Sequence, residues 1–143
     1  MITITINGEP RGKGRPRFGC GRAYTDAKTR AYEKLVQQTY LASGGKRLTG
    51  PVRLFVVAHH GIPTSWNKAA RRLALDGKVP ATRKPDADNI AKIIMDALNG
   101  VAWEDDRQVV SLTVLKHYID GDAHVSVMVD DATDEYAGSV ARD

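Results

Sequence analysis

The chain has 143 residues, 42% of them hydrophobic and 27% charged, which is enough for one folded domain with a core. Its formal net charge is +4, but the charges are unevenly distributed: residues 1–118 hold 20 of the 21 Lys and Arg and only 10 of the 17 Asp and Glu. This part of the chain is therefore strongly basic and suits a polyanionic partner. The single cysteine, Cys20, excludes an intrachain disulfide and a cysteine-rich zinc cluster, and no apolar run reaches the roughly 18 residues that a membrane span requires.

The first half of the chain predicts two strands, a loop and a helix. Strict alternation in residues 2–6 places three Ile on one face of a strand. Residues 8–22 are rich in Gly, Arg and Lys and are predicted to form a loop. A helix over 26–43 is predicted, with Thr25 or Asp26 as its cap. Its apolar side is formed by Tyr32, Leu35, Val36 and Tyr40. Residues 52–58 form the second, mostly buried strand.

Two further helices are predicted in the middle of the chain. The first is short, covers 66–75 and is capped by Ser65. The second is capped by Asp88 or Asn89 and ends near residue 98, where an Asn-Gly pair stops it.

Two strands close the predicted fold. Residues 109–117 alternate, and 124–129 return as a hairpin partner after a Gly-Asp turn. The element order predicts a small single domain of the α/β (α+β) class over 1–129, with a mixed β-sheet and flanking helices. Residues 130–143 are acidic and are predicted to be a flexible tail.

Two acidic segments interrupt the basic part of the chain. Asp86 and Asp88 are two apart on a predicted extended chain, so their carboxylates can point the same way. Lys92 follows Asp88 at i+4, on the same helix face. The pair Asp105–Asp106 precedes a strand, and a helix followed by an adjacent strand can return Asp106 to the first two carboxylates. Three carboxylates without His or Cys predict a hard oxygen site for Mg²⁺, with Mn²⁺ as a substitute.

Simpler interpretations of the same acids stay open. Asp88 can serve only as a helix cap, and Asp105–Asp106 can be a surface turn. A calcium loop starting at Asp86 is excluded, because Ala91 stands where such a loop requires glycine.

Basic side chains outside the acidic segments predict contacts with DNA phosphates. Three lie in the Gly-rich loop, three share a face of the short helix, and one precedes the first acidic segment: Lys13, Arg15, Arg17, Lys68, Arg71, Arg72 and Lys84. An ordinary solvated basic surface is the alternative.

The pattern resembles the RusA family of Holliday-junction resolvases, or crossover junction endodeoxyribonucleases, in its longer phage and prophage branch. The joint spacing of several groups carries this resemblance: Lys84, Asp86-Ala87-Asp88-Asn89, Lys92, Asp96-Ala97-Leu98, Trp103, Asp105-Asp106 and Gln108-Val109-Val110. It implies a small α/β homodimer with a divalent ion in each subunit, which resolves junctions by paired nicking of opposed strands and leaves 5′-phosphates.

The resemblance also assigns roles to individual residues. It implies Asp86, Asp88 and Asp106 as metal ligands and Lys92 as a further catalytic residue. The loop before the Asp-Asp pair is one residue shorter than in the best-known member, so Asp105 could take the place of Asp106.

Two other functions are compatible with the sequence: a general branched-DNA or flap endonuclease of a phage, and a DNA-binding module that holds a metal without cleaving. Lys92 favours an enzyme, because a structural cation site gains nothing from a nearby ammonium. We expect a homodimer that acts on branched DNA in the cytoplasm of a bacterial host, without a nucleotide cofactor or a membrane. The candidate dimer surface is the helix 26–43, through Tyr32, Val36 and Tyr40.

Overall fold

The computed structural model describes residues 1–14 and 17–136. Its strands are β1 (Ile2–Asn7), β2 (Arg17–Gly19), β3 (Arg22–Tyr24), β4 (Val52–Gly61), β5 (Val109–Ile119) and β6 (His124–Asp131). Its helices are α1 (Ala27–Ala42), α2 (Lys68–Leu75) and α3 (Ala87–Leu98), with 3-10 turns at Asp106–Gln108 and Thr133–Tyr136. The predicted class, an α+β fold with a mixed sheet and flanking helices, is confirmed. In the part of the chain that the structure describes, no helix is long and apolar enough to cross a membrane.

The main sheet has the strand order β1-β6-β4-β5. β6 is antiparallel to both β1 and β4, whereas β4 and β5 are parallel. The predicted hairpin between β5 and β6 is therefore wrong. Burial explains the difference: Val125, Val127 and Val129 of β6 are fully buried in the centre of the sheet, while β5 has no fully buried residue and lies at the edge.

The loop predicted over 8–22 contains a small second sheet. β2 and β3 pair as a hairpin, with Arg17 opposite Tyr24. Its turn is Cys20-Gly21, and both residues have positive φ, as a tight hairpin turn of this kind requires. Each strand has only three residues, too few for an alternating pattern to stand out in the sequence.

The helix α1 begins where it was expected. The Asp26 side chain accepts a hydrogen bond from the Thr29 amide at 2.8 Å. Tyr32, Val36 and Tyr40 pack into the domain's own core and are buried. The proposed dimer surface on this helix is therefore wrong, because its apolar stripe is already covered by the sheet.

The helix α2 begins two residues later than predicted. Its first residue is Lys68, and the Asn67 side chain caps it by accepting from the Ala70 amide at 2.9 Å. Asn is as good a cap as Ser, so Ser65 is left in the preceding turn.

One face of the sheet is covered by α1 and α3, and the hydrophobic core lies between them and the sheet. α3 contributes the largest share of its side chains: Ile90, Ala91, Ile93, Ile94, Ala97 and Leu98. Because this face of α3 is anchored in the core, its opposite face and its N-terminus are free to carry polar side chains.

The segment expected to be flexible begins with ordered structure. β6 continues to Asp131, Ala132 is fully buried, and a 3-10 turn follows. Arg53 of β4 forms ion pairs with Asp130 and Glu135. Residues 137–143 lie outside the described residues.

Candidate active site

The first turn of α3 presents two carboxylates to solvent. Asp86 is the N-cap residue, but its side chain makes no capping hydrogen bond, so its oxygens are not used to hold the helix. Asp88 lies inside the first turn, and both carboxylates are exposed. The helix thus starts two to three residues earlier than predicted, and the expectation that the chain is extended through Asp88 is wrong. Lys92 is one turn further on and is also exposed, so the predicted i+4 relation to Asp88 holds.

The basic loop before β2 is attached to this end of α3. The Lys13 amide donates to the Asn89 carbonyl at 3.1 Å. A Cβ atom on Gly12 would come within 2.9 Å of Asn89 Cβ and 2.8 Å of Pro85 Cβ, so only glycine lets the loop approach this closely. The loop therefore reaches the helix turn that carries Asp88.

A cavity of about 490 Å³ lies beside this contact. Arg11 and Lys84 contribute positive charge to its lining and Glu9 contributes negative charge, while Tyr32 also lines it. Burial raises the pKa of Tyr32 to about 12, although Arg11 lowers it, so the phenol stays protonated at neutral pH. The cavity therefore has an excess of one positive charge in its lining and adjoins the peptide bond before Asp86.

Lys13 has a different position from the one expected for a phosphate contact. Its ammonium forms ion pairs with Glu33 of α1 at 2.7 Å and with Asp96 of α3 at 3.0 Å, and its side chain is only 17% exposed. A lysine already held by two carboxylates has little charge left to offer to DNA. These contacts favour a role of Lys13 in linking two helices, while its DNA contact stays a prediction.

The other two basic residues of the loop are less informative. Arg15 lies outside the described residues. Arg17 begins β2, opposite Tyr24, and its backbone alone is described.

The second acidic segment forms a capped 3-10 turn next to a buried tryptophan. Asp105 is the cap: its side chain accepts from the Arg107 amide at 2.9 Å, and Gln108 completes a capping box. Asp106 Oδ1 accepts from the indole Nε1 of Trp103 at 2.9 Å, which leaves its second oxygen for another partner. Asp105 has a structural task, and Asp106 is the better candidate for a ligand.

The two acidic segments lie at opposite ends of α3. The Gly100 amide donates to the Trp103 carbonyl at 2.7 Å, and Trp103 is bridged to Asn99, so Asp106 lies near the C-terminus of the helix. Asp86 caps the N-terminus. With 12 residues at about 1.5 Å each, the helix separates them by about 18 Å.

One copy of the chain does not assemble the three predicted carboxylates. Among residues 1–14 and 17–136, no three His, Cys, Asp or Glu side chains are grouped so that they could hold a metal ion. The expectation that the chain returns Asp106 to Asp86 and Asp88 is therefore wrong. The reason is topological, because α3 runs antiparallel to β5 and the turn with Asp106 precedes that strand.

The basic face predicted on α2 exists. Lys68, Arg71 and Arg72 line one concave surface at the outside of this helix. It faces solvent, which a path for a polyanion requires.

A row of histidines across three strands was missed. His59 of β4 is stacked on His124 of β6, with ring centroids 4.3 Å apart, and its ring lies 6.4 Å from that of His117 in β5. Burial lowers the pKa of His59, and both neighbours lower it further. The sequence did not predict this row of histidines, because β6 was expected to pair with β5 and not with β4.

Comparison with known proteins identifies the family of the chain. Residues 7–130 match the family model described as Endodeoxyribonuclease RusA. The chain is also 35% identical over 136 residues to YqaN, an uncharacterized protein of Bacillus subtilis strain 168, and the match covers 90% of this chain and 94% of that protein. The family match includes α3, the 3-10 turn with Asp106, all of β4 and β5 and most of β6.

Proposed function

Because the chain belongs to the endodeoxyribonuclease RusA family, we propose that it is a metal-dependent nuclease that resolves four-way DNA junctions by paired nicking and leaves 5′-phosphate ends. The observation that carries the proposal is the N-terminus of α3. There, Asp86 and Asp88 are exposed, Lys92 follows one turn later, and a basic loop is attached to the same turn.

The donor set at this end of α3 fits Mg²⁺, with Mn²⁺ as a substitute. Both ions prefer carboxylate oxygens, and Mg²⁺ commonly takes only one or two carboxylates together with water and substrate phosphate oxygens. Asp86 is free of a capping hydrogen bond, so ligation would cost the helix nothing. When bound, the ion would lower the pKa of a water and offset charge on the phosphodiester.

Lys92 would act on the DNA and not on the ion. A charged ammonium has three donors and no lone pair, so it cannot be a metal ligand. Its place one turn after Asp88 lets it donate to a phosphate oxygen that the carboxylate site also faces. There it would hold the phosphate and stabilise charge that develops in the transition state.

The DNA path would connect the cavity at Lys84 with the concave basic surface of α2. Replacing Lys68, Arg71 and Arg72 with Met should reduce the log–log salt slope of binding by about 0.9 for each phosphate that these side chains neutralise. The matched control replaces three other exposed basic residues: Lys34, Lys46 and Arg47. An equal reduction in the control would show that charge alone, not this surface, determines binding.

Cleavage assays test the reaction itself. A mobile four-way junction, a flap and a linear duplex are incubated with Mg²⁺, with Mn²⁺ or with EDTA. We expect metal-dependent cleavage of the junction alone, and Asp86→Asn should abolish it while junction binding remains, since loss of a catalytic carboxylate costs several kcal/mol of barrier. Asp120→Asn, at a position outside the site, is the control. Equal cleavage of flaps would indicate a general branched-DNA endonuclease, and binding without any cleavage would indicate a non-catalytic module.

The two members of the Asp-Asp pair can be separated by the same change. Asp106→Asn keeps an oxygen for the Trp103 indole but removes the charge, so cleavage should fall strongly. Asp105→Asn should be nearly neutral, because Asn caps a helix about as well as Asp. Cleavage that is abolished in Asp105→Asn and kept in Asp106→Asn would reverse the assignment.

A further inference from the structure

The small second sheet carries the most exposed large hydrophobic side chain in the described part of the chain. Phe18 of β2 is 81% exposed, compared with 49% for Tyr24 on the neighbouring strand β3. A single exposed apolar residue is common on protein surfaces, so its surroundings determine what it can bind. Here the strand register, the anchoring of the hairpin and its charge all favour one kind of partner.

The register of the hairpin leaves the Phe18 ring uncovered. Its partner across the strands is Ala23, whose side chain is too small to cover a phenyl ring. Tyr24 lies on the opposite face, because neighbouring residues of a strand alternate. There it packs over Gly19, where a Cβ atom would come within 3.0 Å of Tyr24 Cε1. One face of the hairpin therefore offers a flat aromatic surface to a partner outside the chain.

The hairpin is anchored on both sides to the helices that cover the main sheet. On its N-terminal side, the Lys13 amide donates to the Asn89 carbonyl of α3 at 3.1 Å. Gly14 packs against the first turn of α1, where a Cβ atom would come within 2.8 Å of Thr29 Oγ1. On the C-terminal side, Asp26 caps α1. The hairpin therefore projects from a base that is attached to both helices.

The length of the chain limits how far the ring can lie from the carboxylates of α3. Phe18 follows Lys13 by five residues, which span at most about 18 Å when fully extended. Successive bases of one DNA strand rise by about 3.4 Å along a duplex. A base in contact with Phe18 would therefore lie within about five nucleotide steps of the helix turn at Asn89.

The charge around the ring suits a polyanion. Residues 17–24 contain two arginines and no acidic residue. Arg22 is exposed next to the turn of the hairpin, and Lys28 and Arg30 are exposed in the first turn of α1. Aromatic rings beside basic side chains are the surfaces on which proteins stack unpaired nucleobases. This combination favours a nucleic acid over an apolar protein partner.

The face of a nucleobase is available in branched DNA but not inside a linear duplex. Within a duplex, each base pair is covered on both sides by its neighbours, and separating two neighbours costs free energy. At a branch point the continuous stack is interrupted, so an aromatic ring can take the place of a missing neighbour.

We propose that Phe18 stacks on a nucleobase at the branch point of the bound DNA, while Asp86 and Asp88 face a phosphate a few nucleotides away. This inference rests on the proposed function, because it concerns how the same branched substrate is held. It gives the β2–β3 hairpin a task in selecting branched over linear DNA, which the carboxylates alone do not supply.

Binding measured in EDTA, where no strand is cut, tests the stacking directly. Phe18→Ala should bind a four-way junction roughly tenfold more weakly, as expected for the loss of one base-stacking ring, and should bind a linear duplex as wild type does. Phe18→Trp should restore junction binding. The salt slope should stay unchanged, because no phosphate contact is lost. The control is Tyr136→Ala, which removes a 45% exposed ring from the last 3-10 turn and should change neither affinity.

A junction that lacks bases at its branch point separates stacking from any other role of the ring. With abasic nucleotides at the crossover, wild type and Phe18→Ala should bind equally, because the partner of the ring is gone from both complexes. A tenfold difference that persists on the abasic junction would overturn the proposal. Equal binding of both proteins to the intact junction would overturn it as well, and so would a reduced salt slope in Phe18→Ala.

Light scattering excludes the alternative that the ring packs against a second copy of the chain. Wild type and Phe18→Ala should have the same mass, and a lower mass of the variant would overturn the proposal. Because binding is measured without cleavage, the proposed function is judged separately. A wild-type chain that passes the binding tests but never cleaves with Mg²⁺ would remove the nuclease and support the stacking. A wild-type chain that cleaves, with no binding loss in Phe18→Ala, would do the reverse.

Discussion

Removing the ammonium of Lys13 separates a structural role from a DNA contact. In Lys13→Met the aliphatic part of the side chain is kept, but Glu33 and Asp96 lose the charge that holds them 2.7 and 3.0 Å from the ammonium. The two carboxylates belong to α1 and α3, so the substitution leaves two like charges facing each other between the helices.

The expected cost follows from the exposure of the three side chains, which lies between 16% and 32%. Breaking one partner of a fully buried pair costs roughly 3–5 kcal/mol, whereas exposed pairs contribute about 0.2–1 kcal/mol. For this intermediate position we expect about 2 kcal/mol, which lowers the melting temperature by about 6 °C in a domain of this size. Lys13→Met/Glu33→Gln/Asp96→Asn should recover most of this stability, because no carboxylate is then left unpaired.

Chemical denaturation and junction binding at several salt concentrations test this reasoning together. Lys13→Met should reduce the free energy of unfolding and leave the salt slope of binding unchanged, while Lys34→Met, at an exposed position of α1, changes neither. A stability within about 0.5 kcal/mol of wild type, together with a slope reduced by about 0.9, would refute the structural role and restore Lys13 as a phosphate contact.

The pH dependence of this contact has a definite sign. Burial lowers the pKa of Lys13, but the hydrogen bonds and charges of Glu33 and Asp96 raise it more, so the net pKa lies above 10.5. A raised pKa in the folded state means that the stabilisation is complete below 10.5 and is lost as pH rises through the folded value. The difference between Lys13→Met and wild type should therefore be constant around neutral pH.

Two further predictions concern the 3-10 turn and the two histidines of β4. Trp103→Phe keeps most of the packing but removes the indole donor to Asp106. It should lower the free energy of unfolding by about 1–2 kcal/mol in denaturation experiments and reduce cleavage. Unchanged cleavage would mean that Asp106 does not need the indole to orient it. Burial lowers the pKa of both His59 and His60 in the folded chain. Their contribution to stability is therefore present above pH 6.5 and is lost as pH falls through their pKa values in the folded state. The melting temperature should drop on acidification, and His59→Gln should make that drop smaller.

The helices and strands could largely be predicted because their signals are local. β1 alternates, α1 has a capping Asp26, and α3 combines an apolar stripe with an Asn-Gly stop. These patterns depend on residues a few positions apart, so no knowledge of the tertiary structure is needed. The short β2–β3 hairpin was missed because three-residue strands carry no periodicity.

The pairing of the strands could not be predicted in the same way. A turn of four residues joins β5 to β6, which favours a hairpin from local rules. The burial pattern decided otherwise: alternating Val in β6 needs partners on both sides, and β1 supplies one of them through Ile4 and Ile6. That pairing joins the two ends of the domain, and no local pattern reports it.

The same distinction between local and long-range relations explains which part of the candidate site could be predicted. Asp86, Asp88 and Lys92 lie within two turns of one helix, so their grouping was readable from spacing. The position of Asp106 depends on the direction of α3 relative to β5, which is a property of the whole fold. A βαβ crossover from β4 to β5 makes the intervening helix run back against the strands, and this alone separates the two ends of α3.

The error about Asp106 and the error about β6 have different origins, although both concern long-range pairing. With β6 inserted between β1 and β4, the strand β5 is left at the edge, with its apolar side chains and backbone groups uncovered. Had β5 and β6 formed a hairpin, that edge would be closed, but Asp106 would still lie at the C-terminus of α3, because the parallel pairing of β4 and β5 sets the direction of this helix. The strand order therefore determines which strand is exposed at the edge, whereas the parallel pair determines where the second acidic segment lies.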